Sequence, residues 1–200
     1  MEIWETSIDR RENIVNIITK SLTDNIRMIN IRNIDIDDIE CVGKLKKIIK
    51  KLTNGDKYFF EFNREDGDSF TDEELLKFRK DIPKYFNKYG DYKVKIKLDE
   101  ERFGSIGNLI INKETYNHII IFWRYFLGML FFNPEDGLSW ELYNGIYNKI
   151  KPEVYGIGII QNKYADSVFI KGHDGDNLIF VYGPNYDETL VIEVINIIES

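Results

Sequence analysis

Two hundred residues are enough for one compact domain, or two small lobes sharing a core, with no disulfide or metal staple needed. A hydrophobic fraction of 43% excludes intrinsic disorder. A net charge of −7 argues against a general nucleic-acid binder, which would present a basic field.

Cys41 is the single cysteine, so no intramolecular disulfide can form, and a reducing, cytoplasmic setting is expected. The first residues, Met1 to Glu5 and then Asp9, Arg10, Arg11 and Glu12, lack the basic start and apolar stretch of a secretory signal. The charge is lopsided. Residues 1–100 carry 20 basic and 21 acidic side chains, whereas residues 101–200 carry 7 and 13. The expected organisation is a charged α/β lobe, 1–104, packed on an apolar, acidic α+β lobe, 105–200, the alternative being a single domain. The seam, near Glu100 to Gly107, reads as a loop.

In chain order, Ile14, Ile17, Ile18 and Leu22 recur at helical spacing and predict an amphipathic helix over 7–22. Asn25 to Ile34 predicts a strand. Val42, Leu45, Ile49 and Leu52 share one face of a helix over 37–53, and Lys44, Lys46, Lys47, Lys50 and Lys51 line the rest. Asn54-Gly55 signals a turn into an aromatic strand, Tyr58 to Phe62. Thr71 and Glu74 form a capping box for a helix that Pro83 kinks. Tyr92 to Leu98 alternates as a half-buried strand. Leu109 to Ile111 predicts a short strand, followed by a long apolar helix over 114–132. Arg124 interrupts that apolar run, which is too short for a membrane span. A helix over 138–149, strands Val154 to Gln161, Ser167 to Lys171 and Leu178 to Tyr182, and a helix from Thr189 to Ile198 complete the chain. The expected class is α+β, a mixed or antiparallel sheet with helices packed on it, two lobes sharing one body.

No motif names a chemistry. His173, Asp174 and Asp176 mix imidazole and carboxylates, but Asp-Gly-Asp-Asn also suits a hairpin turn. Glu114 and His118 are four residues apart, a spacing that serves acid–base work or a plain helix contact. The six carboxylates between Glu65 and Glu74 read as a solvated loop and helix start. Gly104-Ser105-Ile106-Gly107 precedes a strand, whereas a phosphate loop should open a helix. Cys41 has no histidine near it in sequence. No metal, no cofactor and no catalytic residue is assigned.

What remains is electrostatic. Toxins that act on nucleic acid tend to be basic, and an acidic inhibitor gains steering against them. The leading expectation is therefore a non-catalytic protein-binding module, an acidic cytoplasmic inhibitor or immunity-type protein that neutralises a basic protein partner. Its candidate contacts are Asp136, Glu141, Tyr143, Tyr147, Asp166, Asp174, Asp176, Tyr186, Asp187 and Glu188, acidic groups with tyrosine anchors. The alternatives are a small-molecule enzyme using Glu114/His118 or His173/Asp174/Asp176, and an oligomeric structural or regulatory subunit. For the last, the apolar helix offers a homodimer face.

Overall fold

Asp24 and Asn25 separate two isoleucine-bearing segments, Ile17–Thr23 (β1) and Ile26–Ile31 (β2), which pair as an antiparallel hairpin. This corrects the expected helix for residues 17–22. Ile17, Ile18 and Thr19 are β-branched and stiff at χ1, and the extended pairing with β2 overrides their helical spacing. The computed structural model describes residues 17–23, 25–53, 57–65, 73, 103–112, 119–120, 123, 128–139, 142, 157–172, 175–187 and 189–200. The expected helices near 71–89 and 138–149 and the strand 92–98 lie mostly or wholly outside them.

Helix α1, Ile39–Leu52, starts where Asp38 accepts from the backbone N–H groups of Glu40, at 3.1 Å, and Cys41, at 3.3 Å. Glu40 in the first turn and Lys50 and Lys51 in the last complement the helix dipole. Leu45, Ile48, Ile49 and Leu52 are buried, as the spacing requires. Strand β3, Lys57–Glu65, extends past the expected Phe62 and pairs antiparallel with β4, Phe103–Asn112. The segment read as a loop at 100–107 is therefore strand from Phe103 onward. Its register shifts opposite Phe62 and Asn63, leaving Ile106 as the extra residue of a bulge between Ser105 and Gly107.

The apolar run at 114–132 is not one helix. Ile119, Ile120 and Trp123 are helical, but Gly128–Phe132 forms β5, paired with β3 on one side and β6 on the other. A strand covered on both faces is apolar at every position, so it resembles a buried helix in sequence. Ile157–Gln161, expected as strand, is a short helix, α2, continued by turns in which Asn162 N–H reaches Gly158 O at 3.1 Å and Lys163 N–H reaches Ile160 O at 3.0 Å. Ser167–Lys171 (β6) and Leu178–Tyr182 (β7) match the expected strands, and Thr189–Glu199 (α3) matches the C-terminal helix.

The fold is α+β. Among the described residues, seven antiparallel strands form one sheet in the order β1-β2-β7-β6-β5-β3-β4. Strands from both sides of the 104/105 boundary meet in it, β2 with β7 and β3 with β5. One face carries α1, α3 and the helical residues Ile119, Ile120 and Trp123 over Ile29, Ile31, Met129, Phe131, Phe169, Leu178 and Phe180. The other carries α2 over Met28, Phe59, Phe132, Val168, Ile179 and Val181. Alternation along each strand thus fills both cores.

An aromatic row crosses the first face. Phe131 and Phe169 are direct cross-strand neighbours, stacked at 4.5 Å with 3° between planes. Phe169 faces Phe180 at 4.6 Å, and Phe180 meets Tyr186 edge-on at 5.0 Å. The row carries packing from the sheet centre to the loop before α3. α3 is held against α1 by Val194, by a Lys51–Glu193 ion pair at 2.5 Å and by Lys44 Nζ donating to Ile198 O at 3.4 Å.

The β6–β7 turn has its own lock. A Cβ at Gly172 would fall 1.4 Å from Asn177 Oδ1, while Asn177 Nδ2 donates to Asn30 Oδ1 at 3.2 Å. Asn30 is buried, so losing this bond leaves a desolvated acceptor. Gly172→Ala is expected to cost about 2 kcal/mol by displacing the Asn177 amide. Asn177→Ala removes the obstacle, so the double variant should cost well under the sum. A double-mutant cycle from urea unfolding reads this, and strict additivity would rule out the lock.

Candidate functional site

Antiparallel order brings three chain segments to one end of the sheet. β5 ends at Phe132, β6 begins at Ser167 and β7 ends at Tyr182. The segments that follow β5, precede β6 and follow β7 therefore converge, beside the C-terminus of α1. Between them lies a pocket of about 510 Å³, lined by Thr53, Asn133 to Asp136, Asp166, Ser167, Asn185 to Asp187 and Leu190.

Backbone hydrogen bonds fix its walls. Glu135 N–H donates to Tyr164 O at 2.8 Å and Leu138 N–H to Glu135 O at 3.0 Å, shaping the turn that presents Glu135 and Asp136. Gly183 N–H donates to Asp166 O at 2.9 Å, tying the loop after β7 to the start of β6. Gly183 is packed so closely that an added Cβ would sit 3.0 Å from Ile160 Cγ2. Tyr186 N–H reaches Gly183 O at 3.2 Å. The Tyr186 hydroxyl donates to Leu52 O at 2.5 Å, satisfying one of the last carbonyls of α1. Burial, reinforced by Tyr58, Asp187 and Tyr182, pushes the Tyr186 phenol far above its ordinary range, so it stays a neutral donor.

Asp187 starts α3. Its Oδ1 accepts from Thr189 N–H at 2.9 Å and Thr189 Oγ1 at 2.8 Å, and these bonds hold its carboxyl below the usual carboxylate range. Glu135, Asp136 and Asp166 are exposed at the pocket and form no ion pair among the described residues. Four carboxylates therefore ring one concavity, and no lysine or arginine is among the described lining residues. They are spread around it: among the described residues, no three His, Cys, Asp or Glu side chains converge as a metal set.

Of the ten candidate contacts read from the sequence, Asp136, Asp166, Tyr186 and Asp187 meet in this pocket. Asp176 does not. It is exposed on the β6–β7 turn at the opposite end of β6, where its backbone carbonyl accepts from Ile34 N–H at 2.8 Å. Glu141, Tyr143, Tyr147, Asp174 and Glu188 lie outside the described residues, as do Glu114, His118 and His173. Sequence reasoning passed over Glu135 and Ser167. The first was signalled by its place beside Asp136 after Asn133-Pro134, and the second only by register.

Two other reactive groups are inert in their settings. Cys41 Sγ accepts from Asp35 N–H at 3.2 Å, and burial is the main cause raising its thiol, which keeps it protonated. Lys171 is buried, donates to the Trp123 carbonyl and lies 5.8 Å from the Trp123 ring centroid. Among the described residues no helix is long and apolar enough to cross a membrane. Comparison with protein-family models, curated proteins and solved structures yields no match.

Proposed function

We propose that the protein is a non-catalytic binding module, an acidic cytoplasmic inhibitor of immunity type whose pocket end engages and neutralises a basic protein partner. The observation that carries the reading is the concentration of Glu135, Asp136, Asp166 and Asp187 around one half-buried tyrosine at the end of a rigid sheet. Unpaired carboxylates at a concave site focus negative potential, which speeds encounter with a basic surface and disfavours acidic ones. Tyr186 supplies an anchor that is already ordered, so little rotamer freedom is lost on binding.

The test is capture from lysate of the source cell at low and high salt, with the wild type and a Glu135→Gln/Asp136→Asn/Asp166→Asn variant. Asp187 is left intact because it caps α3. The wild type should retain a basic protein at low salt, release it at high salt and abolish its activity once both are purified. The variant should bind it at least tenfold more weakly, about 1.4 kcal/mol or more. Capture of an acidic protein, or equal retention by the variant, contradicts the reading.

A further inference from the structure

The lysine-bearing face of α1 has no part in the pocket. At 3.6 residues per turn, Ile39, Gly43, Lys46, Lys47 and Lys50 fall on one stripe of the helix. The stripe lies opposite the buried Leu45, Ile48, Ile49 and Leu52, so it faces away from the sheet. Lys44 and Lys51 are engaged, the first with Glu40 at 3.3 Å and the second with Glu193 on α3. Lys46, Lys47 and Lys50 form no ion pair among the described residues. Charge is segregated along the helix. Asp35, Asp37, Asp38 and Glu40, all exposed, gather at its start, and the lysines run from Lys44 to its end. Ile39, at the acidic end, is 89% exposed. Complementarity to the helix dipole accounts for Glu40 and Lys50, but not for Ile39.

We propose that this face of α1 is the contact between two copies of the chain, packed with their helices antiparallel about a two-fold axis near Gly43. A two-fold contact is isologous, so it needs a surface complementary to itself. A helix that is acidic at one end and basic at the other meets that need when it packs antiparallel. The acidic start of each copy then faces Lys46, Lys47 and Lys50 of the other, and the two helix dipoles oppose. Ile39 lies against the aliphatic stems of Lys47 and Lys50 of the partner subunit, which cover it from water. Gly43, where an added Cβ would meet nothing within 4 Å, stands at the crossing and lets the two backbones approach closely. A single pair of helices, each about 21 Å long, buries less than the ~1,200 Å² of a stable interface. The dimer is therefore transient and salt-sensitive, with a Kd on the order of 50 µM.

Sedimentation equilibrium of the full chain, from well below to well above that Kd, tests the contact. At low salt the wild type should pass from the mass of one chain to that of two, and high salt should weaken the association about tenfold. Lys47→Glu/Lys50→Glu should stay monomeric, and Glu40→Lys should associate about fivefold more weakly than the wild type. All three substitutions are at exposed positions of α1, and an unchanged far-UV spectrum confirms that each variant folds. Mixing the two variants should restore a species of two chains, because one half of the contact keeps its native pairing and the other regains opposite charges. A wild type that is monomeric at every concentration, association untouched by Lys47→Glu/Lys50→Glu, mass growing beyond two chains, or no mixed species would overturn the proposal. None of these outcomes touches the acidic-inhibitor reading, which fails separately if the captured partner is not basic.

Discussion

Replacing Phe169 with alanine is expected to destabilise the protein by about 4 kcal/mol, within the range for a buried phenylalanine lost from a well-packed core. Phe169 is 1% exposed in the middle strand of the sheet, between Phe131 and Phe180. Neither neighbour can collapse into the space, because each belongs to a strand held in register on the β6 backbone. The transfer and cavity terms therefore add, and two ring contacts are lost with them. Against a total stability of about 5–15 kcal/mol, that is a large fraction. Urea unfolding should show the midpoint falling with little change in slope. Ile192→Ala, at a position 62% exposed on α3, should change stability by less than about 0.5 kcal/mol. A Phe169→Ala cost as small as that of Ile192→Ala would mean that β6 does not occupy the centre of the sheet.

The second large effect belongs to Lys171. Burial lowers its ammonium from 10.5 to about 8. Below pH 8 the group is charged in folded and unfolded chains alike, and its desolvation is a constant cost to the fold. Between pH 8 and 10.5 the folded chain has lost the proton while the unfolded chain keeps it. Stability therefore rises with pH across that window, by at most about 1.4 kcal/mol per unit and by about 3 kcal/mol in all. Cys41, Tyr182 and Tyr186 act the other way. Burial raises all three, so the folded chain holds protons that the unfolded chain releases at alkaline pH. The difference between wild type and Lys171→Met isolates the lysine. It should shift in favour of the wild type by about 2 kcal/mol between pH 8 and 10 in denaturant titrations. Parallel pH profiles would show that Lys171 is not desolvated.

Where one face of an element is wet, its sequence pattern was readable. α1 shows apolar residues against a lysine-bearing face, and it forms where the spacing requires. β6 and β7 are short, rich in Val, Ile and Phe, and joined by Gly-His-Asp-Gly-Asp-Asn, so their bounds follow from β-propensity and turn chemistry. Two of the failures share a physical cause. β5 is buried on both faces and α2 is a helix of five residues, four of them Ile or Gly, so periodicity had no polar face to register. β1 misled in the opposite sense, since Ile14, Ile17, Ile18 and Leu22 fit a helix until pairing with β2 is known. The pocket was legible only as composition. Asp136, Asp166, Tyr186 and Asp187 stood out as acidic or aromatic, but nothing local shows that three separated segments meet. That follows from the placement of β6 between β5 and β7.

The most direct test of the acidic-inhibitor account is the association rate constant for the purified partner, measured by stopped-flow across a range of ionic strength. The account predicts a rate that falls steeply with salt for the wild type. It predicts a slower, flatter profile for Glu135→Gln/Asp136→Asn/Asp166→Asn, with the two curves converging at high salt. A rate that is independent of salt and identical for the two proteins would contradict it.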